Sequence, residues 1–293
     1  MAKVNNVLFS LLLLLSFSML INGAYALNAN ALDLVSLFNE FFARISGYAF
    51  ALSDPSGLAG YWNLDEGTGT TAYDSSGNGN NGNVNGAVWT QGKAGNALQF
   101  DGVNDFVSIP NSAALRTTTA ITVIANVKTT RTAGQIASKY DIDTRREWRM
   151  YVGAGGLLGV GIGASGCIIF TNTQASNRPV NNNEWHHVAF TWDKNSIDKK
   201  VKIYVDGVET AYSSQYIKTD NMCQSTRDVW VGMYRAASLD PFGGAIDDVR
   251  IYNRSLSAAE ILADSQTANA ADTISPRAVT DLGASGLTHD SIT

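Results

Sequence analysis

The chain has few charged residues, few histidines and few cysteines for its length. Charged residues make up 16% of the 293 residues, and there are three histidines and two cysteines. So few histidines and cysteines exclude a zinc cluster or a cysteine-rich scaffold. The 21 basic and 26 acidic residues give a net charge of -5 without any block of like charge. Because binding along a phosphate backbone needs clustered cations, we expect no nucleic-acid partner.

The remaining composition is typical of a β protein. Hydrophobic residues make up 45% of the chain, which supports a sizeable core and argues against disorder. Apolar and polar residues alternate with a period of two in many short segments between residues 58 and 252. This pattern predicts an all-β sandwich or jelly roll of antiparallel strands. Among these segments, 97–109 and 157–171 read as single strands.

Two local patterns mark a turn and a helix. Asp206-Gly207 follows an alternating segment, and both residue types tolerate the positive φ of a tight hairpin turn. Ser257 and Glu260 have the spacing of a capping box, which predicts one short helix ending near Asp264.

The N-terminus has the features of an export signal. Residues 1–26 combine Lys3, an apolar run over 7–21 and the small residues Ala24 and Ala26 at a cleavage position. We therefore expect a secreted or cell-surface protein. The alternative is an uncleaved membrane anchor, although the run is shorter than the roughly 20 apolar residues of a membrane span.

Residues 27–56 form an amphipathic segment and linker. Large apolar side chains recur at helical spacing within 32–48, with acidic residues and one arginine between them. Packing against the following domain, a pro-segment and contact with a membrane surface all fit this pattern. Membrane contact is expected only through this segment or an uncleaved signal.

Export also determines how the two cysteines are interpreted. In an oxidising compartment an even pair favours a disulfide between Cys167 and Cys223. Two buried free thiols are the alternative.

Several sequence blocks occur in an order that resembles a known family. These blocks are residues 60–67, 74–80, 98–107, 184–189, 204–207 and 244–257. Together they resemble the laminin-G-like jelly-roll domain of the concanavalin A-like superfamily over residues 58–264. The resemblance implies a two-sheet antiparallel jelly-roll sandwich, which we place at 57–265. Residues 266–275 then form a linker, and 276–293 resemble the start of a fibronectin type III domain.

The resemblance implies a binding or adhesion module for a carbohydrate or an extracellular protein. The alternative is an accessory domain of a carbohydrate-active or other enzyme encoded beyond residue 293. Laminarinase-like members of the superfamily carry Glu-x-Asp-x-x-Glu, and this sequence does not contain that spacing. Asp141-x-Asp143 is the nearest match, in a charged stretch that reads as a loop. We therefore expect no catalysis, and the sequence does not identify the ligand-binding residues.

Calcium is the candidate cofactor, since several relatives carry this ion. Asp101 and Asp105 concentrate oxygen ligands in a turn where Gly102 permits a close approach of the backbone. The resemblance places a third ligand on Asp247, in the last strand. Alternation puts Asp247 on the face of Val249 and Ile251; if that face is the core, its carboxylate needs a partner. The alternative partner is an arginine, Arg250 or Arg254.

The aromatic and histidine residues carry less specific expectations. Trp62, Trp185 and Trp192 are in core-like strand positions, whereas Trp89, Trp148 and Trp230 are undecided between the core and a sugar-binding surface. His186 and His187 are adjacent in a strand and should point to opposite faces, one buried and one exposed.

Overall fold

A computed structural model describes five stretches of the chain, and its architecture is a sandwich of two sheets. The described residues are 56–140, 146–164, 166–167, 170–234 and 240–267. Within them, the strands of sheet 1 are, in spatial order, β14 (Val208–Glu209), β13 (Lys202–Val205), β12 (His186–Asp193), β7 (Ala120–Lys128), β17 (Gly243–Tyr252), β5 (Asn96–Asp101) and β4 (Val88–Gln91), and β1 (Leu58–Trp62) also pairs with β17. The strands of sheet 2 are β15 (Tyr212–Ser214), β11 (Phe170–Ala175), β10 (Leu158–Gly163), β9 (Arg146–Val152), β8 (Gly134–Tyr140), β16 (Val229–Val231), β6 (Phe106–Ile109), β3 (Gly82–Asn85) and β2 (Thr71–Ala72). The predicted all-β antiparallel jelly-roll class is confirmed.

The hydrophobic core fills the space between the two sheets. It takes alternate residues from facing strands, such as Val123, Ala125 and Val127 of β7 and Met150 of β9. Trp62 and Trp192 are buried as predicted, and Trp148, undecided from the sequence, is buried as well. Fully burying a large apolar side chain contributes roughly 1.5–3 kcal/mol, so these residues account for much of the driving force for folding.

A helix covers part of the outer face of sheet 1. Helix α1 (Ala258–Thr267) begins with the predicted capping box, in which Ser257 N donates to Glu260 Oε2 at 2.8 Å and Glu260 N donates to Ser257 Oγ at 3.3 Å. A second apolar cluster, which includes Ile124, Tyr204 and Ile261, packs beneath it. This face of sheet 1 is therefore partly closed by a helix rather than by another sheet.

Two of the predicted strands are interrupted. Segment 97–109 divides into β5 and β6 around a turn at Gly102, whose φ is 78°. Segment 157–171 divides into β10 and β11. In segment 97–109 the buried apolar positions change from Leu98 and Phe100 before the turn to Val107 and Ile109 after it, so the break coincides with a change of phase. The hairpin at Asp206-Gly207 is confirmed, with φ of 52° and 77°.

A β-bulge in β17 changes the predicted orientation of Asp247. The strand pairs with β7 so that Ile246 lies opposite Val127 and Asp247 opposite Asn126, but the register then shifts before Arg250. Asp248, with φ of 54°, is the extra residue. Asp247 therefore lies on the outer face of sheet 1, and the expectation that it shares the core face of Val249 and Ile251 is wrong.

The predicted disulfide is confirmed. Cys167 and Cys223 are bonded, with their Cα atoms 4.9 Å apart. The bond joins the residues after β10 to the segment that precedes β16. Cys223 N also donates to Gly163 O at 3.1 Å, so the two segments are held by a covalent and a hydrogen bond.

Several predictions concern residues outside the described part of the chain. These are the signal peptide at 1–26, nearly all of the segment at 27–56, the charged stretch containing Asp141 and Asp143, most of the linker at 266–275, and the fibronectin-like residues 276–293. The described residues include no helix with the length and apolar character that crossing a bilayer requires.

Candidate functional site

The turn that contains Asp101 and Asp105 uses its carboxylates to hold its own backbone. Asp105 Oδ2 accepts a hydrogen bond from Asp101 N at 2.8 Å. Asp101 Oδ1 accepts bonds from Val103 N at 2.7 Å and Asn104 N at 3.3 Å. Because these oxygens are already occupied by amides, the turn is explained by local hydrogen bonding.

Asp247 is fully buried under the loop of residues 92–96. Its Oδ2 accepts a hydrogen bond from Lys93 N at 3.0 Å, whereas Oδ1 is buried without a hydrogen-bond partner. Burial, together with repulsion from Asp248 and Asp65, raises the pKa of Asp247 to about 8. Asp65 holds the other end of the same loop, since its Oδ1 accepts from Asn96 N at 2.8 Å. Two carboxylates therefore bind the backbone of one short loop, one near each end.

A network of ion pairs next to Asp247 fastens α1 to sheet 1. Arg250 contacts Asp248 at 3.1 Å and Asp264 of the helix at 3.2 Å. His187 Nε2 lies 3.0 Å from the same Asp264 carboxylate. Burial opposes ionisation of Asp264, but attraction to Arg250 and the bond from His187 outweigh it and lower the pKa of Asp264 to about 2. Arg250, the alternative partner predicted for Asp247, therefore pairs with Asp248. Asp247 instead accepts a hydrogen bond from the loop of residues 92–96.

The three predicted calcium ligands do not form one site. The register places Asp101 opposite Gly243, four residues before Asp247 along β17. At about 3.3 Å per residue this separation is roughly 13 Å. Among the described residues there is no cluster of three or more histidine, cysteine, aspartate or glutamate side chains that could hold a metal.

A polar cleft of about 370 Å³ opens on the outer face of sheet 1, next to the Asp247 loop. The registers place Gln99 opposite Ala245 and Ala245 opposite Lys128, and these three residues cross its floor. The remaining lining consists of Thr90, Gln91, Phe100, Asp101, Thr129, Thr130, Arg131, Asn183, Trp185, Gly243 and Gly244. Trp185 is partly exposed in this wall, so its predicted place in the core is wrong.

Hydrogen bonds hold the loop that carries Trp185. His186 contacts Asp206 through Nδ1 at 2.9 Å and Asn182 through Nε2 at 2.8 Å. Asn183 N donates to Thr129 O at 3.0 Å, which ties this loop to the segment after β7 that also lines the cleft. As predicted, the adjacent His187 is buried, with His186 partly exposed. A fixed aromatic wall is a pre-organised binding surface, because little side-chain freedom is lost on binding.

Two glycines make room for Arg131 at the edge of the cleft. A Cβ atom at Gly102 would lie 2.9 Å from Arg131 Nη2, and one at Gly243 would lie 3.2 Å from Arg131 Cγ. The guanidinium donates to Gly102 O at 3.4 Å. The side chain therefore lies across the glycines, with its charged end at the cleft.

Sheet 2 offers a second aromatic surface on its outer face. Trp230 stacks on Phe106 with the ring centroids 4.3 Å apart. The Arg149 guanidinium lies 4.5 Å from the Tyr151 ring centroid and 5.4 Å from that of Tyr140. Trp230 is thus resolved as a surface-facing residue.

The fold matches domains of two enzymes and of a mosquitocidal protein. Domain 4 of AbnA, a GH43 extracellular arabinanase from Geobacillus stearothermophilus, was solved in complex with arabinotriose. It has a TM-score of 0.54 and 20% identity, covering 72% of this chain and 99% of that domain. The binding domain of Paraclostridial Mosquitocidal Protein 1 has a TM-score of 0.57 and 14% identity, covering 72% of this chain and 52% of that one. A Trypanosoma rangeli sialidase has a TM-score of 0.52 and 18% identity, covering 71% of this chain and 32% of that one.

These likenesses establish the shared fold, and the chain spans about half of the mosquitocidal-protein domain and a third of the sialidase. No curated protein matches the sequence. A laminin G family model, described as concanavalin A-like lectin/glucanases superfamily, matches residues 101–262, which is more than half of the chain. The chain therefore belongs to the concanavalin A-like lectin/glucanases superfamily.

Proposed function

We propose that this domain is a non-catalytic carbohydrate-binding module and that the cleft on sheet 1 holds the sugar. The observation that carries the proposal is the position of Trp185. Its ring forms one wall of a cleft whose other side chains include Gln91, Gln99 and Asn183. An aromatic face packs against the apolar face of a sugar, and amide side chains can both donate to and accept from hydroxyl groups.

The structural neighbours support this proposal by analogy. A domain of the same fold was solved with arabinotriose bound. The fold alone does not determine a function, so the argument rests on the cleft and the neighbour supplies the class of ligand to be tested. An extracellular protein ligand is the alternative, as is an accessory role beside an enzyme encoded further along the chain.

The composition of the cleft supports binding without hydrolysis. Glycoside hydrolysis uses a pair of carboxyl groups roughly 5–9.5 Å apart. Asp101 is the one carboxylate among the described residues that line the cleft, and its Oδ1 accepts from two amides of its own turn. One carboxylate does not supply the pair that this chemistry uses.

Calcium stays a prediction, with a changed set of ligands. The buried and unpartnered Oδ1 of Asp247 fits a cation, and Asp65 lies close enough to raise the pKa of Asp247. Oδ1 of Asp247 would hold the ion together with backbone oxygens, whereas both carboxylate oxygens of Asp65 already accept from Asn96 N and Asn63 Nδ2. The ion would supply a positive charge beside the buried carboxylate of Asp247 and would stiffen the loop of residues 92–96 beside the cleft. Asp101 and Asp105 are explained without it.

Export and the flanking segments also stay predictions. The disulfide supports an oxidising compartment, because such bonds are rare in the cytosol. Cleavage after residue 26, adhesion, and a fibronectin type III domain beginning near residue 276 fit a modular surface protein.

The proposed function can be tested by titrating the full chain with a panel of soluble polysaccharides that includes arabinan, galactan, xylan and polygalacturonate. Trp185→Ala should weaken binding at least about tenfold, because it removes the stacking surface. Trp230→Ala is the matched control, since it removes the same side chain from the outer face of sheet 2. Circular dichroism would verify that both variants are folded.

The result can contradict the proposal in two ways. Loss of binding in Trp230→Ala but not in Trp185→Ala would move the sugar site to sheet 2. Absence of binding to every polysaccharide, or release of reducing ends from any of them, would refute non-catalytic carbohydrate binding.

A further inference from the structure

The cleft carries two cationic side chains that stacking of a neutral sugar does not require. Lys128 ends β7, and Arg131 follows three residues later in the loop across the cleft. In the part of the chain that the structure describes, neither forms an ion pair with a carboxylate. Arg131 is fixed through its backbone N–H to Thr129 Oγ1 at 3.0 Å and through its guanidinium to Gly102 O.

The only carboxylate among the described lining residues is that of Asp101, whose Oδ1 bonds to Val103 N and Asn104 N. The lining thus carries two positive charges and one negative charge, and the negative charge is engaged by its own turn. The side chains that line the cleft therefore carry a net charge of +1, although the whole chain has a net charge of -5. This local reversal of sign favours an anionic ligand.

We propose that the cleft selects an anionic sugar, whose ring packs on Trp185 and whose carboxylate or sulfate group is bound by Arg131 and Lys128. This inference rests on the proposed carbohydrate binding and adds the class of sugar. A guanidinium presents parallel N–H donors that match two oxygens of a carboxylate or sulfate, and an ammonium adds a compact point charge. The amides of Gln99 and Asn183 then serve the neutral hydroxyl groups.

Two pairs of polymers separate charge from sugar shape. Polygalacturonate is compared with its fully methyl-esterified form, and dextran sulfate is compared with dextran, by calorimetric titration of the full chain. We expect at least one anionic polymer to bind about tenfold or more tightly than its neutral counterpart, because hydrogen bonds to charged groups are the stronger ones. Added NaCl should reduce this preference, since the cleft is open to solvent. The pair with the larger preference distinguishes a carboxylate from a sulfate ligand.

Charge-removing variants link the preference to the cleft. Arg131→Gln and Lys128→Gln should each reduce the preference for the anionic polymer several-fold. Lys194→Gln is the matched control, because β12 pairs Asp193 with Ala120, at the end of β7 remote from Lys128. Eight residues of strand separate the two ends, roughly 26 Å. The control should retain the preference.

Each possible outcome is decisive. Equal binding of charged and neutral polymers, or a preference that survives both Arg131→Gln and Lys128→Gln, overturns the selection of an anionic sugar while carbohydrate binding still stands. Failure of all four polymers to bind, together with failure of arabinan, galactan and xylan, refutes carbohydrate binding itself.

Discussion

Asp247 provides the sharpest test of the electrostatics around the candidate site. The variant Asp247→Asn removes the charge but keeps an oxygen that can accept from Lys93 N, so the loop of residues 92–96 retains its hydrogen bond. We expect this variant to be more stable than the native protein in the presence of a chelator at alkaline pH. The reason is that the native fold must either keep a proton on Asp247 or bury an unpaired charge.

The magnitude follows from the pKa. Between about pH 4 and pH 8 the folded protein retains a proton on Asp247 that the unfolded chain has lost, so stability falls as the pH rises through this range. A difference of about four pKa units corresponds to roughly 5 kcal/mol at 1.36 kcal/mol per unit. Because solvent and neighbouring groups relax around a buried charge, we expect roughly 2–4 kcal/mol at about pH 8.

The assay is urea unfolding followed by tryptophan fluorescence, at about pH 5 and about pH 8, with chelator and with calcium. In chelator the advantage of Asp247→Asn should be largest at the higher pH and should shrink at the lower one. Calcium should stabilise the native protein and not the variant, if Asp247 is a ligand. The control Asp198→Asn removes an acid whose pKa is lowered by its own hydrogen bonds and so titrates below this range. Identical pH dependence in the native protein and Asp247→Asn would refute the reasoning.

Three further predictions concern stability. Replacing Cys167 and Cys223 by serine should lower the free energy of unfolding by roughly 4 kcal/mol, since the bond closes a loop with a sequence separation of 56; equal urea midpoints would contradict this. Lys139 and Glu147 form a buried ion pair, 3.2 Å apart. Lys139→Met should lower the free energy of unfolding by roughly 3–5 kcal/mol, because it leaves the Glu147 charge buried and unpaired. Lys139→Met combined with Glu147→Leu should restore much of this stability, as measured by calorimetric melting. Asp264→Asn should lower the free energy of unfolding by roughly 2 kcal/mol at neutral pH. Because the pKa of Asp264 is lowered to about 2 in the folded protein, its charge stabilises the fold above about pH 4, and this stabilisation is lost as the pH falls through about 2. A difference in stability that is independent of pH would contradict this prediction.

The architecture was predictable because its signals are local and repeated. Period-two alternation, the hairpin at Asp206-Gly207 and the capping box at Ser257 each depend on a few neighbouring residues. The cysteine pair followed from the inferred compartment. A sandwich buries one face of every strand, so the alternation reports the core directly.

The predictions failed where one extra residue changes the phase of the alternation, or where residues distant in the sequence come together. Nothing adjacent to Asp248 marks it as the extra residue of a bulge, and that one residue reversed the face assigned to Asp247. Trp185 precedes the first residue of β12, where alternation no longer fixes the side of the sheet. The cleft could not be predicted, because strand register brings together segments near residues 90, 100, 130, 184 and 244. The clues present in the sequence were the paired Gly243-Gly244 and the cations Lys128 and Arg131 beside a strand end.

The outer face of sheet 1 serves three purposes along a single strand. Within β7, Ile124 lies under the helix, Asn126 lies opposite Asp247, and Lys128 reaches the cleft. The side chains that alternate with them form the sandwich interior. Residues at the cleft can therefore change without disturbing the packing that keeps the domain folded. For evolution and for engineering alike, the domain behaves as a stable scaffold with an interchangeable recognition surface: varying positions 99, 128 and 131 would diversify its ligands at little structural risk.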